Sequence, residues 1–118
     1  MICLQMVERL EYLHSKEYVH GDIQPSNFVT GTGKMAHKIY LVDFEFCSPF
    51  IVNGIHISEE VVEKFSGSIR YCSLAANDHK NISRKDDLES LIYSLIFLIK
   101  GYLPWFELKS QTLIEAYN

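Results

Sequence analysis

Asp22 and Asn27 stand five positions apart in the stretch His20-Gly21-Asp22-Ile23-Gln24-Pro25-Ser26-Asn27, and a second carboxylate, Asp43, closes the apolar run Ile39-Tyr40-Leu41-Val42. Phosphoryl transfer asks little covalent chemistry of a protein. It needs a base to orient the attacking hydroxyl and metal ions to neutralise charge on the phosphates. Asp22 has the chemistry of that base, and Asn27 and Asp43 offer the hard oxygen donors that Mg²⁺ prefers. His-Gly-Asp and Asp-Phe-Glu each occur by chance in many chains. Their order, their spacing and the strands between them make the combination specific.

These residues need elements to hold them. Cys3, Met6, Val7, Leu10 and Leu13 recur at three- and four-residue steps, with Gln5, Glu8, Arg9 and Glu11 largely on the other face, which predicts a helix ending near Ser15-Lys16. No capping residue precedes Ile2, so this helix reads as cut. Pro25 donates no backbone hydrogen bond, which keeps residues 20–27 out of a helix interior or central strand. Phe28-Val29-Thr30 and Ile39-Tyr40-Leu41-Val42, joined through Gly31-Thr32-Gly33, predict a hairpin that brings Asn27 and Asp43 to neighbouring ends of a ribbon. Residues 46–81 show little periodicity and read as a long functional connector, with one or two helical turns around Ile57, Val61 and Val62. Ser83-Arg84-Lys85-Asp86 opens the strongest helix with a capping-box pattern. Leu88, Leu91, Ile92 and residues 95–99 are apolar on nearly every face, the pattern of a helix at a domain centre. Lys100-Gly101 ends it and Pro104 prevents its resumption. Trp105 is expected in the core, and His14, His37, His56 and His79 at the surface.

The chain of 118 residues has room for one small domain, and 47% hydrophobic with 22% charged residues is an ordinary globular balance. Fifteen acidic against eleven basic residues give a net charge of -4, which supplies no field for nucleic acid. Cys3, Cys47 and Cys72 lack metal-ligand spacing and read as reduced thiols of an intracellular protein. Residues 91–99 are far shorter than the roughly 20 residues of a membrane span, and no secretory signal is visible. A soluble chain with neither membrane nor nucleic-acid partner is expected.

Several stretches resemble the eukaryotic protein kinases, and among them the casein kinase 1 group with its vaccinia-related cousins. Leu10-Glu11-Tyr12-Leu13-His14-Ser15-Lys16 is similar to the helix before the catalytic loop. Val19-His20-Gly21-Asp22-Ile23 resembles the vaccinia-related branch, where Gly replaces the usual Arg, and Pro25-Ser26-Asn27-Phe28 resembles casein kinase 1. Ser66-Gly67-Ser68-Ile69-Arg70-Tyr71, Arg84-Lys85-Asp86-Asp87-Leu88-Glu89-Ser90-Leu91 and Gly101-Tyr102-Leu103-Pro104-Trp105 are similar to that group's activation-segment end, central helix and following turn. The resemblance spans almost the whole chain. It implies a mainly α (α+β) kinase-like C-terminal lobe, with helices around a buried central helix and a small hairpin carrying the metal ligands. Residues 1–118 would then be part of one kinase domain, from the helix before the catalytic loop to just past the central helix.

The resemblance further implies transfer of the ATP γ-phosphate to Ser or Thr of proteins. Asp22 would be the catalytic base, and Asn27 and Asp43 the ligands of Mg²⁺ and ATP. Asp87 would brace the catalytic loop and His20 would hold it structurally. Arg70 and Lys109 would belong to an anion site favouring acidic or pre-phosphorylated substrates. Two residues depart from the pattern. Gln24 stands where kinases carry a phosphate-neutralising Lys, and Glu45 replaces the Gly after Asp-Phe, adding an anion and removing backbone freedom. The sequence also contains no Gly-rich loop, strand Lys or paired helix Glu, the parts of the N-terminal lobe. These departures argue against efficient transfer by this chain and favour, as the alternative, a pseudokinase or regulatory fragment that binds protein partners.

Overall fold

A computed structural model describes residues 1–107. It opens with helix α1, Ile2–Ser15, whose first turn has no side-chain cap, in line with the missing capping residue. Met6 and Leu10 are its fully buried positions, whereas Val7 and Cys3 remain exposed. The polar side holds the neighbouring ribbon. Gln5 donates to the His37 carbonyl at 3.0 Å and accepts from the Ile39 amide at 2.8 Å, and Arg9 Nε donates to the Ile39 carbonyl at 2.9 Å. Side chains of α1 thus satisfy backbone groups at the edge of a short strand.

Strand β1, Tyr18–Val19, leads into the Asp22 loop, which ends in one 3-10 turn, Pro25–Asn27. Strands β2, Phe28–Thr30, and β3, Ile39–Leu41, pair antiparallel with Phe28 opposite Leu41, Val29 opposite Tyr40 and Thr30 opposite Ile39. The hairpin is therefore as the sequence predicts, one residue shorter in its second strand. The core is built from Met6, Leu10, Ile23, Ile39 and Leu91, with Phe28, Leu41 and Leu95 packed against it. Ile23 matters most for the site, because the residue next to Asp22 is itself a core residue.

Residues 46–81 hold more structure than their sequence shows. Strand β4, Ser48–Pro49, pairs with β1, and β5, Ile51–Val52, forms a tight ribbon with β6, Ile55–His56. Asn53 and Gly54 both take positive φ between them, as a two-residue hairpin turn requires. The helical turns expected around Ile57, Val61 and Val62 are not formed. Val61 bridges Lys80, the Glu60 amide donates to Asn81 Oδ1 at 2.8 Å and the Val62 amide to the His79 carbonyl at 2.7 Å. Distant partners take the amides that a helix would have used.

A short helix α2, Leu74–Asn77, is capped by Ser73, and helix α3 spans Arg84–Lys100. Asp86 ties the two starts together. Its Oδ2 accepts from the Ser83 amide at 2.8 Å and its Oδ1 from the Ser73 hydroxyl at 2.6 Å. Gly101, at φ 82°, closes α3 by donating to the Phe97 carbonyl at 2.7 Å. Trp105 is half-buried rather than in the core, its ring edge on Tyr93 and its Nε1 donating to the Arg70 carbonyl at 2.6 Å.

The expectation that α3 is buried on every side is corrected. Asp87, Ser90, Leu91 and Ser94 form its buried side, while Leu88, Ile92, Ile96, Leu98 and Ile99 are exposed, Ile99 by 83%. Among the described residues α1, α2 and the 25–27 turn pack on α3, and an apolar circumference wider than these neighbours leaves a stripe uncovered. No helix among the described residues is long and apolar enough to cross a membrane.

Candidate functional site

The loop from His20 to Asn27 is held from three directions. Ile23 anchors it in the core at 2% exposure. Asp87, equally buried on α3, accepts the His20 amide on Oδ2 at 2.8 Å and the Gly21 amide on Oδ1 at 3.1 Å. The 3-10 turn closes the far end, with the Asn27 amide donating to the Gln24 carbonyl at 3.0 Å.

His20 is fully buried and both of its ring nitrogens are engaged. Nδ1 receives the Asp22 backbone N–H at 3.2 Å, so it carries no proton, and Nε2 therefore donates to the Val42 carbonyl at 2.9 Å. The ring is a cross-brace from the loop to the residue before Asp43, and the edge of the Phe44 ring packs on it at 5.1 Å. Neither ring nitrogen is left free for proton transfer.

Around Asp22 the neighbours are amides. Gln24 Nε2 lies 3.1 Å from both carboxylate oxygens, and Asn27 Nδ2 donates to the Asp22 carbonyl at 2.8 Å and to Oδ2 at 3.3 Å. Asn27 thereby spends its nitrogen on the loop, which leaves Oδ1 as the atom that could meet a cation. The Val42 amide donates to the Asn27 carbonyl at 2.9 Å, so the hairpin sets Asn27 beside the chain that enters Asp43. Asp43 is exposed and takes φ 62°, a left-handed conformation that Asp tolerates better than most residues. Glu45 shows no positive φ, so the loss of glycine's freedom expected there does not apply. What remains at Glu45 is an exposed anion two residues from Asp43.

Among the described residues no group of three or more His, Cys, Asp and Glu side chains is placed to hold a metal ion. Two oxygen donors such as Asn27 and Asp43 fit a different kind of site, one where Mg²⁺ takes few protein ligands and completes its shell with substrate phosphates and water. Val29 and Tyr40 are cross-strand partners, each 40% exposed, on the hairpin face turned away from the core. Two-residue alternation in the strands was the signal that could have found them.

The segment after Asp43 returns to the loop by backbone contact. Gly21, at φ 84°, has so little room that a Cβ would lie 2.6 Å from the Phe46 carbonyl oxygen. A Cβ on Gly67, at φ 95°, would lie 2.6 Å from the Gly21 carbonyl and 3.6 Å from Asp22 Oδ1. The position at which the resembled family has Arg therefore admits no side chain here. Gly21→Ala is expected to destabilise the protein by about 1–3 kcal/mol, combining left-handed strain with the clash. Urea denaturation checks this, and a change below about 0.5 kcal/mol would show that the loop relaxes freely.

Arg70 is exposed and its guanidinium stacks on the Phe106 ring at 4.8 Å. It is not brought to Asp22 by any contact in the structure described above, and Lys109 lies outside the described residues. Asp87 faces the loop, through the two amides it accepts. His14 does not lie at the surface: its side chain is 11% exposed and its Nε2 sits 2.8 Å from Asp87 Oδ2. Sequence reasoning missed this because the partner is 73 residues away. Cys72 lines the space behind Asp22, and burial pushes its thiol up to about 11, which keeps it protonated and unreactive. The family model of the protein kinase domain matches residues 1–117 of this chain.

Proposed function

The chain belongs to the protein kinase domain family, and from that premise we propose that it is the C-terminal lobe of a casein kinase 1-like serine/threonine kinase domain. The carrying observation is the Asp22 carboxylate, ringed by the Gln24 and Asn27 amides on a loop held by Asp87. In this reading Asp22 accepts the proton of a Ser or Thr hydroxyl on a protein substrate. The hydroxyl oxygen forms a bond to the γ-phosphorus of ATP as the bond to the ADP oxygen breaks. Asn27 and Asp43 hold Mg²⁺, which supplies charge neutralisation on the phosphates. Val29 and Tyr40 give the hairpin an apolar platform suited to a nucleotide base. Arg70 favours acidic or pre-phosphorylated substrates, with Lys109 as its partner. Three free cysteines suit an intracellular setting.

Transfer by these 118 residues is weak or absent in our reading, because Gln24 brings no positive charge to the phosphates and Glu45 adds a negative one. A second reading has specific support as well. Gln24 covers both oxygens of Asp22, and Leu88, Ile92, Ile96 and Ile99 offer an apolar stripe to another protein. That reading is a pseudokinase or regulatory fragment acting as a protein-binding module.

Titration with ATP and Mg²⁺ followed by thermal unfolding separates the two. Nucleotide at ten times its Kd stabilises by about 1.4 kcal/mol, which raises Tm by roughly 6 °C in a domain of this size. Asp43→Asn should remove the Mg²⁺-dependent part. No shift at millimolar nucleotide would reject the kinase reading of this chain and leave the binding module.

A further inference from the structure

We propose that the connector after Asp43 builds a binding pocket for a small molecule with one aromatic ring and one carboxylate. The pocket has a volume of about 200 Å³. Phe46, Ile57, Val62, Phe65 and Ile82, each partly buried, supply its apolar wall. Small-molecule sites have this make-up, mostly apolar with a few placed polar groups. An apolar cavity of about 150 Å³ takes up benzene, so the volume here suits one ring with a short chain. Backbone hydrogen bonds fix the walls to one another. The Val62 amide donates to the His79 carbonyl at 2.7 Å, and the Asn81 amide donates to the Glu60 carbonyl at 2.9 Å.

Charge selects the carboxylate. Two lysines line the pocket, Lys64 and Lys80. Lys80 Nζ is already paired with Glu59 at 2.8 Å. Asn81 is spent as well, its Oδ1 accepting the Glu60 amide and its Nδ2 donating to the Ser58 carbonyl. Lys64 is exposed and has no ion pair among the described residues, which makes it the cation open to a ligand at the mouth. Glu60 and Glu63 are exposed and take no part in the lining. Two of the apolar walls also reach the neighbouring loop. A Cβ on Gly21 would lie 3.2 Å from Phe46 Cβ and 3.3 Å from Ile82 Cδ1. The side chains on which the ring would rest therefore also pack beside Gly21, so a bound molecule is felt next to Asp22. Binding itself does not depend on what Asp22 does.

The test titrates the full chain with phenylpropionate and with its uncharged counterpart, phenylpropanol, followed by NMR. Amide signals of Phe46, Val62, Ile82 and Gly21 should move at millimolar acid, with Leu10 unmoved. The alcohol should bind about fivefold more weakly, the worth of one exposed ion pair. Lys64→Gln should weaken the acid by about the same factor and leave the alcohol as before, so that the two ligands become equal. Acid at ten times its Kd should slow hydrogen exchange of the Val62 and Asn81 amides about tenfold. Val62→Phe, which puts a ring into the pocket, should abolish binding of both ligands. Should that variant fail to fold, Lys64→Gln, at an exposed position, carries the test. Signals that stay still, or that move only elsewhere on the surface, overturn the proposal. Equal affinity of acid and alcohol for the unmodified chain overturns it as well.

Discussion

Asp87→Ala is expected to lower the stability of the protein by about 3–5 kcal/mol, the range for removing one partner from a buried charge network. The change strands the His20 and Gly21 amides in a site where Asp87 is 2% exposed. Each buried donor left without a partner costs about 1–3 kcal/mol, and His14 loses its acceptor as well. Small domains hold only about 5–15 kcal/mol in total, so a large share of the stability would be lost. Urea denaturation reads this directly: with a slope of roughly 2 kcal/mol per molar, the midpoint should drop by about 2 M. Asp87→Asn keeps one acceptor oxygen and should fall between. A loss below about 1 kcal/mol for Asp87→Ala would mean that the Asp22 loop is held by Ile23 and its own turn, and that α3 contributes little to the site.

Gln24→Lys combined with Glu45→Gly, in a version carrying a complete nucleotide-binding lobe, is expected to raise protein phosphorylation about 100-fold, the effect of restoring one charged stabiliser of the transferring group. Gln24 Nε2 already lies 3.1 Å from both Asp22 oxygens, so an ammonium in its place would keep the contact and add charge. It would also make a charge-assisted bond to the Asp22 carboxylate, stronger than the present amide bond. Glu45 shows no positive φ, so Glu45→Gly should act through charge alone, and Glu45→Gln should recover most of its share. Phosphorylation no higher in the double variant would show that these two positions do not limit the reaction.

How much of this was legible in the sequence depends on the range of the interaction. The loop, the hairpin and both long helices could be read because their signals are local: Pro25, the β2 and β3 runs, the Ser83-to-Asp86 cap and Gly101 each act within a few residues. The connector could not be read that way. Strands of two residues have no period, and β4 is set by β1, some thirty positions earlier in the chain. The same range effect hid His14 behind Asp87, and Gln5 and Arg9 behind the edge of β3. For α3 the sequence showed an apolar circumference, and only the neighbouring elements reveal that part of it stays uncovered. Arg70 was legible as a cation, but its Phe106 stack was not.

Ile23 gives the site an unusual kind of loop. Connections on protein surfaces commonly fluctuate on their own, with little free energy holding them in place. Here the residue between Asp22 and Gln24 is seated among Met6, Leu10, Ile39 and Leu91. The loop can leave its position only by withdrawing a side chain from the hydrophobic core, so its opening is tied to the cooperative melting of the domain. Whatever binds beside Asp22 meets a surface with the stiffness of an interior, and cold, heat or denaturant should disturb recognition and fold together.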